Sequence, residues 1–292
     1  MRYRVTHTTS YKYSAPVSHC YNVAHLLPRI TNQQSCDHSE LKISPLPASV
    51  NEWNDLYGNR QVSFNIERAH KELSVTAISE VDVKPYGKLL DNAFPMSWEQ
   101  AVSYMRDSQD PDIIDARQFV LESDYIEFSK EIDAYSQISF AKDKPLVDAV
   151  EELMHRIYQD FEYDQHFSNL ATPLEDVLTH KKGVCQDFAH LAIAVLRMRG
   201  LAARYVSGYL ETIPPAGTER LVGADASHAW FSIFVPHQGW IDFDPTNAKL
   251  PAEQHITVAW GRDYADVAPL KGVLFGGGQK HDLKVSVDVT RL

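Results

Sequence analysis

The stretch Gly183-Val184-Cys185-Gln186-Asp187-Phe188-Ala189-His190 decides the reading of this chain. Gly183 ends one helical pattern, and a second runs from Cys185 to Arg199, where Gly200 stops it. Cys185 therefore opens a helix. A helix N-terminus carries roughly half an elementary positive charge and has unpaired N–H groups. That field favours thiolate over thiol, and the same N–H groups can stabilise an oxyanion formed beside the sulfur. Taken alone, the position suits a buried structural cysteine as well as a nucleophile.

A nucleophilic thiol needs a base within hydrogen-bond reach. His228, in the run Ala226 to Ile233, opens a strongly patterned strand, and Asp244 closes the next in Trp240-Ile241-Asp242-Phe243-Asp244. The two runs read as a hairpin. If His228 faces Asp244, cross-strand indices sum to 472, Ile233 faces Gly239, and Phe234 to Gln238 form a five-residue loop. His228, Trp230, Ser232, Trp240, Asp242 and Asp244 then share one face. Ala229, Phe231, Ile233, Ile241 and Phe243 form an apolar core face. A carboxylate beside the imidazole would hold its tautomer. Asp244 is preferred in that role because it faces His228. Asp242, the rival, faces Trp230.

The chain around these motifs has 292 residues, 44% of them hydrophobic, enough for two domains with cores of their own. Its formal net charge of -11 argues against nucleic acid or an anionic membrane surface as the main partner. No apolar run approaches the ~20 residues of a membrane helix, and Met1 to Ser10 does not read as a signal peptide. A cytoplasmic address is the resulting expectation. Three cysteines, Cys20, Cys36 and Cys185, do not make a disulfide framework.

Residues 1–85 read as a β-rich, sandwich-like module with strands at Arg2 to Thr8, Tyr11 to Tyr13, Glu40 to Ile43, Val62 to Ile66 and Leu73 to Ile78. Asp55 to Arg60 is a turn. Residues 86–142 form a mixed connecting region, with helices expected at Trp98 to Met105 and Ile113 to Leu121. The core occupies residues 143–270. Leu146, Val150, Leu153, Ile157 and Phe161 recur at helical spacing, widened by Val147, Met154 and Tyr158. Asp143 is the expected N-cap of that helix, and Thr172-Pro173-Leu174-Glu175 the expected capping box of the next. Strands follow at Ala203 to Leu210, Ala229 to Val235 and Trp240 to Phe243. Residues 271–292 are a C-terminal β-strand extension.

Three ordered motifs now stand together: Gly183 to Ala189, Ser227 to Trp230, and Gly239 to Asn247. With Phe161 to Asp164 and Leu201 to Tyr209, they resemble the core of the bacterial transglutaminase-like superfamily. Tyr3 to Tyr13 and the turn Asp55 to Asn59 resemble the N-terminal region often joined to that core, and Gly261 to Pro269 is similar to a segment of the same subgroup. The resemblance implies an α+β fold with a papain-like, transglutaminase-like core and a Cys-His-Asp triad. Cys185 would be the nucleophile, His228 the base and then the acid, and Asp244 the orienter. It further implies acyl transfer through a thioester, with hydrolysis of a peptide or side-chain amide the first expectation. A protein-glutamine transamidase is the alternative, and a non-catalytic binding or assembly module a third. Such chemistry needs no metal or other cofactor. The Cys185 N–H is one expected oxyanion donor, and Tyr163 is the second candidate.

Other candidates carry less. His19, Cys20, His25, Cys36 and His38 match no common zinc spacing and read as scattered surface-loop residues. His190 lies five residues beyond Cys185, turned away from it on the helix, and reads as packing. Asp263 and Asp266 read as solvated loop carboxylates. Trp230 and Trp240 suit either an acyl-binding cleft or the core. No Walker, GxGxxG or GxSxG pattern occurs.

Overall fold

A computed structural model describes residues 1–85, 96–211 and 227–292. One long strand organises the first part of the chain. β1 (Arg2–Ala24) joins the two short strands read from the sequence and extends beyond them. Its alternation puts Tyr3, Val5, His7 and Thr9 inward. β2 (Gln34–Ser44), β3 (Ser49–Asn54), β4 (Arg60–Ile66) and β5 (His70–Val83) follow. In the sheet the order is β2-β5-β1-β4-β3. Two strands from the other end of the chain, β12 (Leu270–Gly276) and β13 (His281–Arg291), also pair antiparallel with β1. Tyr3, Val5, Val81, Val83, Val287 and Val289 share a core with the helical part, so the sheet packs directly on it.

The middle of the chain is helical: α1 (Trp98–Asp107), α2 (Pro111–Ala116), α3 (Lys130–Ser139) and α4 (Leu146–Asp160). The expected helix from Ile113 to Leu121 starts earlier and becomes a 3-10 turn over Arg117–Val120. α4 buries Leu146, Ala149, Val150, Leu153, Met154 and Ile157, whereas Tyr158 is exposed. Its expected N-cap fails: Asp143 sits at φ 61° outside the helix, and Pro145 occupies the cap position. β6 (Glu162–Tyr163) pairs with β7 (Lys182–Gly183) on either side of α5 (Leu174–His180). The capping box expected there is also missing. Pro173 is the N-cap of α5, and the Thr172 hydroxyl accepts from the Asn169 N–H instead.

α6 (Cys185–Met198) is buried from Asp187 to Arg197, as befits a helix apolar on nearly every side. It lies against an antiparallel sheet ordered β10-β9-β8-β11, built from β8 (Ala203–Leu210), β9 (Ser227–Val235), β10 (Gly239–Phe243) and β11 (His255–Gly261). The short α7 (Tyr264–Val267) follows β11. The β9–β10 hairpin is tighter than its pattern predicted. Gly239 faces Val235 and Asp242 faces Ser232, leaving Pro236 to Gln238 as the loop. Val235 is apolar and buried and stays in the ladder, while His237 (φ 66°) and Gly239 (φ 82°) take the left-handed conformations that close the turn. The shift is an even number of residues, so each side chain keeps its face.

Candidate functional site

Cys185 is the first residue of α6, half-buried, with Val184 at the N-cap. The turn before it is built closely. Asp187 accepts from the Val184 N–H at 2.8 Å and from the Ser168 hydroxyl. A Cβ on Gly183 would stand 2.9 Å from Asp187 Cβ, which explains the glycine. Parallel pairing of Tyr163 with Gly183 brings the half-exposed tyrosine beside the cysteine. Its phenol pKa is raised by burial and then by the charge of Cys185, so it stays a donor.

His228 lies at the start of β9, opposite Gly208 of β8. Its Nε2 is 2.8 Å from Asp244 Oδ2. That leaves Nδ1 to face the Cys185 side chain, which lies close enough to act on the ring. Burial works to lower the imidazole pKa, but hydrogen bonds to Asp244 and Cys185 outweigh it and raise the value to about 10. Asp244 follows the end of β10 and is fully buried. Burial would raise its pKa, yet donors from His228 and His255 hold it well below the usual carboxylate range. Oδ1 accepts from the Thr246 and Asn247 N–H groups at 3.0 and 3.2 Å. Oδ2 accepts from the Asn247 side chain at 2.7 Å and from His255 Nε2 at 3.0 Å.

Thus Cys185, His228 and Asp244 come together, with Asp244 as the group bound to the imidazole. Asp242 is engaged elsewhere, accepting from the Trp230 indole at 3.0 Å and from the Ser232 hydroxyl. Two groups at the site escaped the sequence reading, His255 and Asn247. The β-branched run beginning at His255 could have located a strand, but nothing local ties its first residue to Asp244. His228, Asp244 and His255 each present one potential metal-ligand atom within 4.8 Å of the others. Hydrogen bonds account for that closeness, and they already occupy Oδ2.

The remaining candidates fall elsewhere. Trp230 is fully buried and meets the His255 ring edge-on at 5.2 Å, so it is core beneath the site. Trp240 packs at the far end of the hairpin on Phe119 and Phe234. His190 is buried packing, as expected, and accepts from the Tyr264 N–H at 3.2 Å. Asp263 and Asp266 are not solvated loop groups. Asp263 is buried and accepts from the Ala265 and Tyr125 N–H groups, and Asp266 grips Arg262. Cys20, Cys36, His19 and His38 lie on strands rather than in loops. Cys20 is buried beside Asn22 and His70, while His19 stacks on Phe275. His25 follows β1, buried and bonded to the Ala268 carbonyl. No described helix is long and apolar enough to cross a membrane.

Residues 3–82 match the family described as the bacterial transglutaminase-like N-terminal region, and residues 133–245 match the transglutaminase-like superfamily. A Mycobacterium tuberculosis protein named only as uncharacterized is 42% identical over 294 residues, covering 99% of this chain and 92% of that protein. A Mycobacterium leprae protein, also named as uncharacterized, is 34% identical over 292 residues, covering 100% and 99%. A protein-glutamine gamma-glutamyltransferase of Pseudomonas aeruginosa is 36% identical over 102 residues, which is 33% of this chain and 15% of that protein. Among solved structures, a candidate cysteine protease from Cytophaga hutchinsonii shares the fold, with a TM-score of 0.78, 24% identity, and coverage of 100% of this chain and 91% of that one.

Proposed function

The chain belongs to the transglutaminase-like superfamily, and from that premise we propose a thiol-dependent acyl-transfer enzyme that hydrolyses peptide or side-chain amides in the cytoplasm. The observation that carries the reading is the 2.8 Å contact of His228 Nε2 with Asp244 Oδ2, in an imidazole whose pKa Cys185 also helps to raise.

Cys185 Sγ attacks the amide carbonyl while His228 holds the thiol proton. The oxyanion meets the Cys185 N–H at the start of α6 and the Tyr163 hydroxyl. Collapse breaks the C–N bond, and His228 gives its proton to the leaving amine. Water then attacks the thioester, His228 takes its proton, and the carboxylic acid departs as the thiol is restored. Asp244 keeps the proton on Nε2 throughout, which leaves Nδ1 to do the transfers.

The 102-residue likeness to a protein-glutamine gamma-glutamyltransferase favours one second reading, in which a lysine amine replaces water. Peptide and amide libraries, incubated with wild type and Cys185→Ala and with or without an added primary amine, separate the two. Free acid products point to hydrolysis and amine-bearing products to transamidation. Absence of any Cys185-dependent product, together with an unreactive thiol in active-site titration, would favour a binding module.

A further inference from the structure

The hydrogen bonds around Asp244 assign a proton to His255. Ala252 N–H donates to His255 Nδ1 at 3.4 Å, so the ring proton is on Nε2, which donates to Asp244 Oδ2 at 3.0 Å. The ring is buried and meets Trp230 edge-on. His255 also begins β11, one of the two edge strands of its sheet. An edge strand exposes N–H and C=O groups that need partners when buried. Here two buried amide side chains from the first part of the chain supply them. Gln34 donates to the Thr257 carbonyl at 2.7 Å and accepts from its N–H at 2.8 Å. Asn59 does the same for Trp260, at 2.8 and 2.9 Å. Each amide imitates one rung of a neighbouring strand.

We propose that His255 is a positioning residue that fixes Asp244 for His228, and that the N-terminal module completes the active site by holding β11 through Gln34 and Asn59. The proposal rests on the thiol acyl-transfer reading and deepens it. A module that shares no reacting atom thereby acts on the reaction through one strand.

The test is the rate of Cys185 alkylation by iodoacetamide from pH 5 to 9, followed by peptide mapping. It needs no substrate. Among the described residues, the charged and titratable groups facing this network are Lys249, Asp244 and His228 around His255, and Asp187, Tyr163 and Tyr205 around Cys185. His255→Gln places an amide nitrogen where Nε2 stood, whereas the shorter His255→Asn cannot reach Oδ2. The expected result is a tenfold or greater loss of rate at pH 6 for His255→Asn, with less than threefold change at pH 9. His255→Gln should stay within threefold of wild type throughout. Gln34→Leu should lose threefold or more at pH 6. Equal profiles for the Asn and Gln variants would reduce His255 to packing, and an unchanged Gln34→Leu profile would sever the module from the site. A wild-type profile identical to that of His228→Ala would strike the Cys185–His228 pair itself, and this proposal with it.

Discussion

Gly208→Ala should be among the most damaging small substitutions in this protein. Gly208 lies on β8 between His228 of β9 and Thr257 of β11. A Cβ there would collide with the Ile256 carbonyl oxygen and stand 2.5 and 2.9 Å from two Trp230 ring carbons. Optimal carbon–carbon contacts are about 3.5–4.0 Å, so the indole would have to retreat by roughly 1 Å. It has nowhere to go, because its Nε1 is tied to Asp242 and its edge lies against His255. β11 is likewise held, by the β8 ladder on one side and by Gln34 and Asn59 on the other. Overpacking of this kind costs about 3 kcal/mol. For a chain of 292 residues that lowers Tm by about 5 °C. Differential scanning calorimetry beside wild type reads it directly. A Tm within 2 °C of wild type would show that β11 and Trp230 can move apart freely, and would refute the rigidity argued for the site.

Other outcomes follow from the same contacts. Asp244→Asn should lower turnover by two orders of magnitude or more, whereas Asp242→Asn should stay within about fivefold, since Asp242 serves Trp230 and Ser232; equal losses would mean that the orienter is wrongly chosen. Burial lowers His7 to about 4 and His190 to about 3, so their unfolded forms take up protons below about pH 6.5 while the native forms do not. Stability is therefore lost as pH falls, by about 3 kcal/mol between pH 6.5 and 5, and an unchanged urea midpoint over that interval would contradict it. Arg197→Met removes the buried guanidinium that donates to the Ala203, Leu121 and Arg262 carbonyls, and should cost about 3 kcal/mol or more in chemical denaturation. Turnover, measured with any substrate found, should survive EDTA; loss with EDTA and rescue by calcium would point to a metal-gated transamidase.

Legibility of the fold tracked the range of the interactions that made it. β8 runs from Ala203 to Leu210, as its run of strand formers indicated, and α6 begins at Cys185 because Gly183 and the apolar pattern leave little choice. The side-chain faces of the β9–β10 hairpin were also readable, since a strand's period of two survives a register error of two. The register itself was not, because it turned on whether Val235 joined the ladder or the loop. Helix starts at Asp143 and Thr172 misled for a related reason: a capping residue type signals a start only if the backbone turns there, and the proline two or one positions on took the cap instead. Least legible were the long-range pairings. No local pattern announces that β12 and β13 return to β1, that β11 lies beside β8, or that His255 shares Asp244 with His228.

The central claim is that Cys185 is an activated nucleophile paired with His228. Substoichiometric iodoacetamide near pH 6, with peptide mapping of all three cysteines, tests it most directly. Cys20 is buried, and burial pushes the Cys36 thiol pKa up, so neither should compete. An unperturbed thiol of pKa about 8.5 is under ~1% thiolate at pH 6, whereas an imidazolium-paired one can be largely ionised. Cys185 should therefore label at least tenfold faster than either, and His228→Ala should shrink the difference. Equal labelling of the three cysteines in the native protein, or preference for Cys20 or Cys36, would contradict the account.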